Sequence, residues 1–346
     1  MPVEHLLNSV PGYSIGRCAW VESCRLVTLI IAFWVSAWAP VLASAEEPLE
    51  LTIMSYNLWG AGANQGKPID TTLRVLQTVD ADIIGLQESR AEAIPCGSSW
   101  CPPDGPERAI ALAETLGYHV YVQKPVNDAL WANAVLSRYP IIGVSPNQLG
   151  VRLDIAGRTA VLFNLHPTDY PYPPYQLLRI PYGAQPDIET AEQAQRYASR
   201  ARGKALTLLL NELTFAGGAD LVLLTGDFNE PSHLDWTASA AEAGIHPLSV
   251  RWPFSAALEN AGFVDTFRKV HPDELANPGF TWSPGVTIAT IDDHPDRIDF
   301  VYVRSDQVEI IDSRVVGEHE SVAGVVVSPW PSDHRAVVTK IRLRQP

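Results

Sequence analysis

The chain has 346 residues, 46% of them hydrophobic, and carries 39 acidic against 25 basic side chains for a formal net charge of -14. A chain of that length and apolar content can bury a large core. Its acidic balance, with no basic tract beyond one helix, argues against a binder that gains affinity by neutralising many backbone phosphates.

The first 45 residues stand apart from the rest of the chain. Leu26 to Trp38 is an apolar run preceded by Arg25 and followed by VLASAEE, where Ala43 and Ala45 give the small-x-small pattern of a signal-peptidase site. The segment reads as a signal peptide cut after Ala45, and the alternative is an uncleaved N-terminal anchor. No stable membrane span is expected after processing, because the run is short. Residues 46–346 then form one domain with 37 acids against 23 bases, placed in the periplasm or outside the cell.

Six polar motifs stand at the ends of apolar runs. LTIMSYNLW ends on Asn57, and DIIGLQES ends on Glu88. Next comes the Gly-, Ser- and Pro-rich loop IPCGSSWCPPDG, whose Cys96 and Cys101 are expected as a disulfide in an oxidising compartment, with two free thiols as the alternative. AVLFNLHPT presents Asn164 and His166. Trp131 and the segment TDYPYPPYQLLRIPYGAQPD, with Tyr170, Tyr172, Tyr175 and Tyr182, are candidates for a cleft wall; prolines are expected to hold that segment extended. The alternative is a rigid surface connection whose tyrosines pack on the body.

Glu189 to Leu213 predicts an amphipathic helix, with Ala194, Ala198, Ala201, Ala205 and Leu209 on one face and a capping box of Thr190 with Gln193. Arg196, Arg200, Arg202 and Lys204 are expected on its solvated side. LVLLTGDFN is a buried strand opening into a loop at Asp227 and Asn229, and strand ends are where α/β folds place their sites. His233, shortly after, is expected near the site mouth without a catalytic part. Asp292, Asp293 and His294 read as a solvated acidic turn, with a second metal site as the alternative. RIDFVY then brings Asp299, and SDHRAV brings Ser332, Asp333 and His334.

Carboxylate and amide oxygens are hard donors that suit magnesium, with manganese or calcium as alternatives, better than zinc. Glu88 is the first expected ligand, with Asn57 and Asp333 nearby. Asp227 suits holding and deprotonating a water. His334 can donate to a phosphoryl oxygen while Asp299 fixes its tautomer, and His166 offers a second donor.

On these motifs the chain resembles the endonuclease/exonuclease/phosphatase superfamily from about Leu51 to Leu343. The resemblance implies a four-layered α/β sandwich, two mixed β-sheets face to face with helices outside. It implies metal binding at Glu88, Asn57 and Asp333, water activation by Asp227 with Asn229 beside it, and an Asp299–His334 pair. His166 stands where abasic-site endonucleases resemble tyrosine instead, and HPDRIDFVY replaces the inositol phosphatases' tryptophan-cysteine-aspartate-arginine motif. The expected activity is exported, metal-dependent hydrolysis of a small phosphomonoester or phosphodiester by direct water attack. A secreted deoxyribonuclease-like enzyme and a silent phosphate-ligand binding protein are the rivals. No protein partner is implied.

Overall fold

A computed structural model describes residues 48–93 and 102–344. The export segment, its cut after Ala45, and Cys96 with Cys101 lie outside the described residues.

The apolar runs form two mixed sheets. The seven-stranded sheet runs Val325–Val326, Val308–Gly317, Ala336–Leu343, Glu50–Asn57, Ile83–Gln87, Ala134–Ser137 and His119–Val122. The six-stranded sheet runs Val264–Asp265, Asp299–Arg304, Leu221–Asp227, Arg158–Leu165, Gly150–Ile155 and Ile141–Val144. Glu50–Asn57 lies parallel to Ile83–Gln87, and Arg158–Leu165 lies parallel to Leu221–Asp227. Each parallel pair therefore points its carboxyl ends, with their polar residues, the same way.

Four layers result from where the side chains bury. Leu51, Ile53, Ile83 and Val135 of one sheet meet Val151, Leu162, Leu223 and Val301 of the other in a shared apolar layer. The outer face of the seven-stranded sheet is covered by the helices Ile69–Val79 and Arg108–Leu116, through Val75, Leu76, Ala109 and Leu112. The outer face of the six-stranded sheet is covered by Ala191–Glu212 and Pro253–Asn260, through Ala205, Leu209, Phe254 and Leu258. Strands buried on both faces read as continuous apolar runs, which is why Leu221–Asp227 is buried along its whole length.

Toward the polar strand ends, the layer between the sheets turns from aliphatic to hydrogen-bonded. Asn164 donates to Leu86 O (2.9 Å) and Gln123 Oε1 (2.8 Å), and accepts from Gln87 Nε2 (2.7 Å). It is a buried tie between sheets. The sheets approach so closely there that a Cβ on Gly85 would lie 1.9 Å from Thr225 Oγ1 and 2.6 Å from Asn164 Oδ1. Gly85→Ala is expected to cost about 1–3 kcal/mol through overpacking, read as a lower urea midpoint. An unchanged midpoint would refute that account of the packing.

The long helix starts as its capping box requires: Thr190 Oγ1 accepts from Gln193 N, and Gln193 Oε1 accepts from Thr190 N. Arg196, Arg200 and Lys204 are exposed. Arg202 corrects the expectation of a solvated basic face, since it is 1% exposed and held by Glu230 Oε2 (3.2 Å), Thr168 O (3.0 Å) and Pro171 O (3.1 Å). The Pro-rich segment also differs from its expected extended form. Pro173–Leu178 is a short helix, because proline's fixed φ suits a first helical turn as well as an extended chain. Among the described residues no helix is long and apolar enough to cross a membrane.

Candidate active site

Asn57, Glu88, Asp227 and Asp299 stand at strand termini or one residue beyond them. Turn chemistry then aims them inward. Glu88 and Asn229 both adopt left-handed backbone conformations, with φ of 50°. Asparagine accepts this conformation readily, but for glutamate it is a local strain of the kind functional sites retain.

The convergence centres on one oxygen. Asp227 Oδ2 lies 3.4 Å from His166 Nε2 and 3.5 Å from His334 Nε2, and it accepts from Asn57 Nδ2 at 3.1 Å. Its other oxygen accepts the Asn229 amide at 2.9 Å, while Asn229 Nδ2 donates to Pro167 O. The turns after two neighbouring strands are thereby clamped together. Asn57 Nδ2 also donates to Glu88 Oε1 at 2.8 Å, and its Oδ1 accepts the Trp59 amide.

His334 is oriented by Asp299, whose Oδ2 lies 2.9 Å from Nδ1. Asp299 is in turn fixed by its backbone amide, which donates to Thr281 Oγ1. Ser332 accepts the His334 amide and donates to Asn57 O, tying the last motif to the first. Glu88, His166 and Asp227 lie close enough to share an ion, and Asp227, Asp299 and His334 form a second such group.

The electrostatics divide the acids into two kinds. Burial pushes Glu88 up to about 7 against the pull of His166 and His334, and Asp333 up to about 6 against that of His334. Asp227 goes the other way, to about 2, because the charge of His334 and the bond from His166 outweigh its burial. His166 rises to about 9 despite burial, through Asp227 and Glu88, and His334 rises well above its ordinary value through Asp299 and Asp227. Glu88 Oε2 and Asp333 Oδ1 are buried with no hydrogen-bond partner among the described residues. Orphaned anionic oxygens of this kind call for a cation, so the donor set fits a divalent ion.

The sequence profile of the endonuclease/exonuclease/phosphatase family matches residues 54–334, a span that holds every one of these groups. The chain belongs to that family. It is a hydrolase of phosphoester bonds, in a family generally dependent on divalent metals. An uncharacterized protein of Caenorhabditis elegans is 27% identical over 308 residues, covering 83% of this chain and 90% of that one. Among solved structures, a family member from Beutenbergia cavernae is 18% identical, covering 86% of this chain and 72% of that chain, with a TM-score of 0.49. The 3' phosphatase NExo from Neisseria is 17% identical over 84% of this chain and 98% of that chain, with a TM-score of 0.48.

Several surroundings of the site were not legible as such. Trp282 lies 4.8 Å from the His334 ring, and Trp330 Nε1 donates to His334 O. Only their tryptophan identity near the last two motifs could have marked them. Trp131 is at the site, edge-on to His166 at 6.1 Å. Tyr172 and Tyr175 are buried and pack with Ile298 beside Trp282, so they support the wall behind His334 and leave little surface to a ligand. His233 lines a separate cavity of about 390 Å³, with Ser255, Glu259 and Tyr302, whose walls include none of the convergent residues. It bonds Ser255 Oγ at 2.9 Å and Glu259 Oε2 at 3.1 Å. His294 corrects the solvated acidic turn: Asp292 is exposed, but His294 is buried against Trp236 and His246.

Proposed function

We propose that the protein is an exported, magnesium-dependent phosphoesterase that cleaves a small phosphate ester by direct attack of water. The supporting observation is Asp227 Oδ2, set between two histidine Nε2 atoms, in a site where Glu88 and Asp333 each bury an oxygen with no hydrogen-bond partner among the described residues.

Glu88 and Asp333 would hold the ion; Asn57 corrects its expected ligand role, since its Nδ2 faces Glu88 and Asp227 and its Oδ1 is turned to the Trp59 amide, so it orients the carboxylates instead. When bound, the ion supplies Lewis-acid polarisation and neutralises charge on the phosphate. Asp227 accepts an O–H of the attacking water and takes its proton as the new bond to phosphorus forms; the ester P–O bond opposite breaks, and the departing oxygen takes a proton from solvent to leave as the alcohol. With a pKa near 2 it stays anionic, so orientation and electrostatics contribute more than proton affinity. His334, kept charged by Asp299, donates to a phosphoryl oxygen as negative charge shifts outward, and His166 donates from the other side. Asn229 holds the Asp227 rotamer through its backbone N–H. No covalent enzyme intermediate is needed.

A small ester meets only this centre, so the protein's net charge of -14 hardly opposes it. A long duplex would meet that charge along its length. Turnover with magnesium, manganese or calcium should be measured on small phosphomonoesters and phosphodiesters beside duplex DNA. Efficient cutting of the duplex, falling steeply with salt while small esters go untouched, would overturn the substrate reading; no turnover on any ester would favour a binding protein.

Glu88→Gln is expected to weaken magnesium affinity at least tenfold, the scale of one lost ligand charge. Calorimetric titration yielding a wild-type affinity would remove Glu88 from the ion site. For export, the mature protein is expected to begin at Glu46 and to gain two hydrogens on reduction of a Cys96–Cys101 bridge, both read by intact mass. Recovery of the intact N-terminal segment in membranes would support an anchor instead.

A further inference from the structure

The protein buries a second group of ligand atoms away from the Glu88 and Asp227 centre. His246 Nδ1 and His294 Nε2 face one another at 3.0 Å, and Asp296 Oδ1 lies 4.0 Å from His246 Nδ1. His246 is 4% exposed, His294 5% and Asp296 1%. We infer that His246, His294 and Asp296 form a structural site for a zinc-type divalent ion.

Three features carry the assignment. The first is geometry: all three donor atoms lie within 4.8 Å of one another, and the separations bracket the roughly 3.3 Å edge of a tetrahedron with metal–nitrogen bonds of about 2.0–2.1 Å. The second is charge. Among the described residues Asp296 receives only neutral donors, Trp236 Nε1 at 2.8 Å and Tyr172 Oη at 2.7 Å. The neighbouring Arg297 is committed to Asp235 and Asp265, and Arg202 to Glu230. A buried carboxylate without a cationic partner is costly, and an ion would supply that partner.

The third feature is the support of the ligands. The Trp236 indole can only donate, so with Tyr172 it orients the carboxylate much as outer-shell groups do around metal ligands. Trp236 also stacks on His246 at 4.3 Å and fixes its ring. Two imidazoles and a carboxylate select zinc or a similar late divalent metal over magnesium, so the site differs in chemistry from the oxygen-rich one. Bound there, the ion would staple the segment following helix Ala238–Glu242 to the approach of strand Asp299–Arg304. The rival arrangement is one proton shared between the two rings.

Chelator-stripped protein should be reloaded with zinc, washed in excess magnesium, and its metal content measured per chain. A Glu88→Gln, Asp227→Asn, His334→Asn protein, with both ion-sharing groups of the other centre disabled, is expected to retain one zinc. His246→Gln and His294→Gln, added singly to it, are each expected to lose that zinc. Failure of the parent to retain zinc, or retention by both histidine variants, would overturn the site. If those variants do not fold, cobalt in the parent protein decides. An intense visible spectrum of a four-coordinate, nitrogen-ligated ion supports the site, and the faint spectrum of a hydrated ion refutes it.

Discussion

Asp227→Asn is expected to lower kcat by about a hundredfold or more, the scale of lost general-base help, with a much smaller change in KM. The substitution keeps the shape but removes the anion lying between His166 and His334. Steady-state kinetics on the substrate found by screening would test it, and near-wild-type kcat would refute the role. Stability should respond in a particular direction. The Asp227 carboxyl is held at about 2, below its unfolded value, so its contribution is fully present above about pH 4 and is lost as pH falls toward 2. The asparagine variant lacks that titration. Its acid-unfolding curve should be shallower in this window, and an equally steep curve would show that the histidine–aspartate contacts contribute little.

Arg202→Met is expected to destabilise the protein by about 3–5 kcal/mol, because it leaves the Glu230 carboxylate buried without its cation. Burial already pushes Glu230 upward against the pull of Arg202, and Glu230 Oε1 also accepts the Phe254 amide. The guanidinium additionally holds Thr168 O and Pro171 O, in the turn that follows His166. Glu230 directly follows Asn229, so the pair ties the His166 turn to the Asp227 turn from behind. Urea denaturation of Arg202→Met should show the loss, and Arg202→Met with Glu230→Gln should recover much of it. A single variant with the wild-type midpoint would show that water reaches Glu230 and replaces the arginine.

How much could be read beforehand depended on the range of the interaction. The polar residues after LTIMSY, DIIGLQ and LVLLTG were legible as a converging set, because parallel neighbouring strands carry their end residues to one edge. The Thr190–Gln193 capping box was legible because its partners are three residues apart. Arg202 was not. Periodicity marks a charge on a helix as solvated unless an opposite charge arrives from elsewhere, and Glu230 lies 28 residues on. His294 is buried where a solvated turn is expected for the same reason, since the rings that bury it, Trp236 and His246, come from a distant segment.

The amino-acid sequence by itself determined the family, the two-sheet α/β architecture and the identity of the polar groups at the strand ends, since these rest on short motifs and local periodicity. Only the tertiary structure decided which oxygens are left without donors, which histidine nitrogen faces Asp227, and which charges are buried in pairs. Those outcomes depend on sub-ångström separations between groups far apart along the chain, and both desolvation and hydrogen bonding change steeply over such distances.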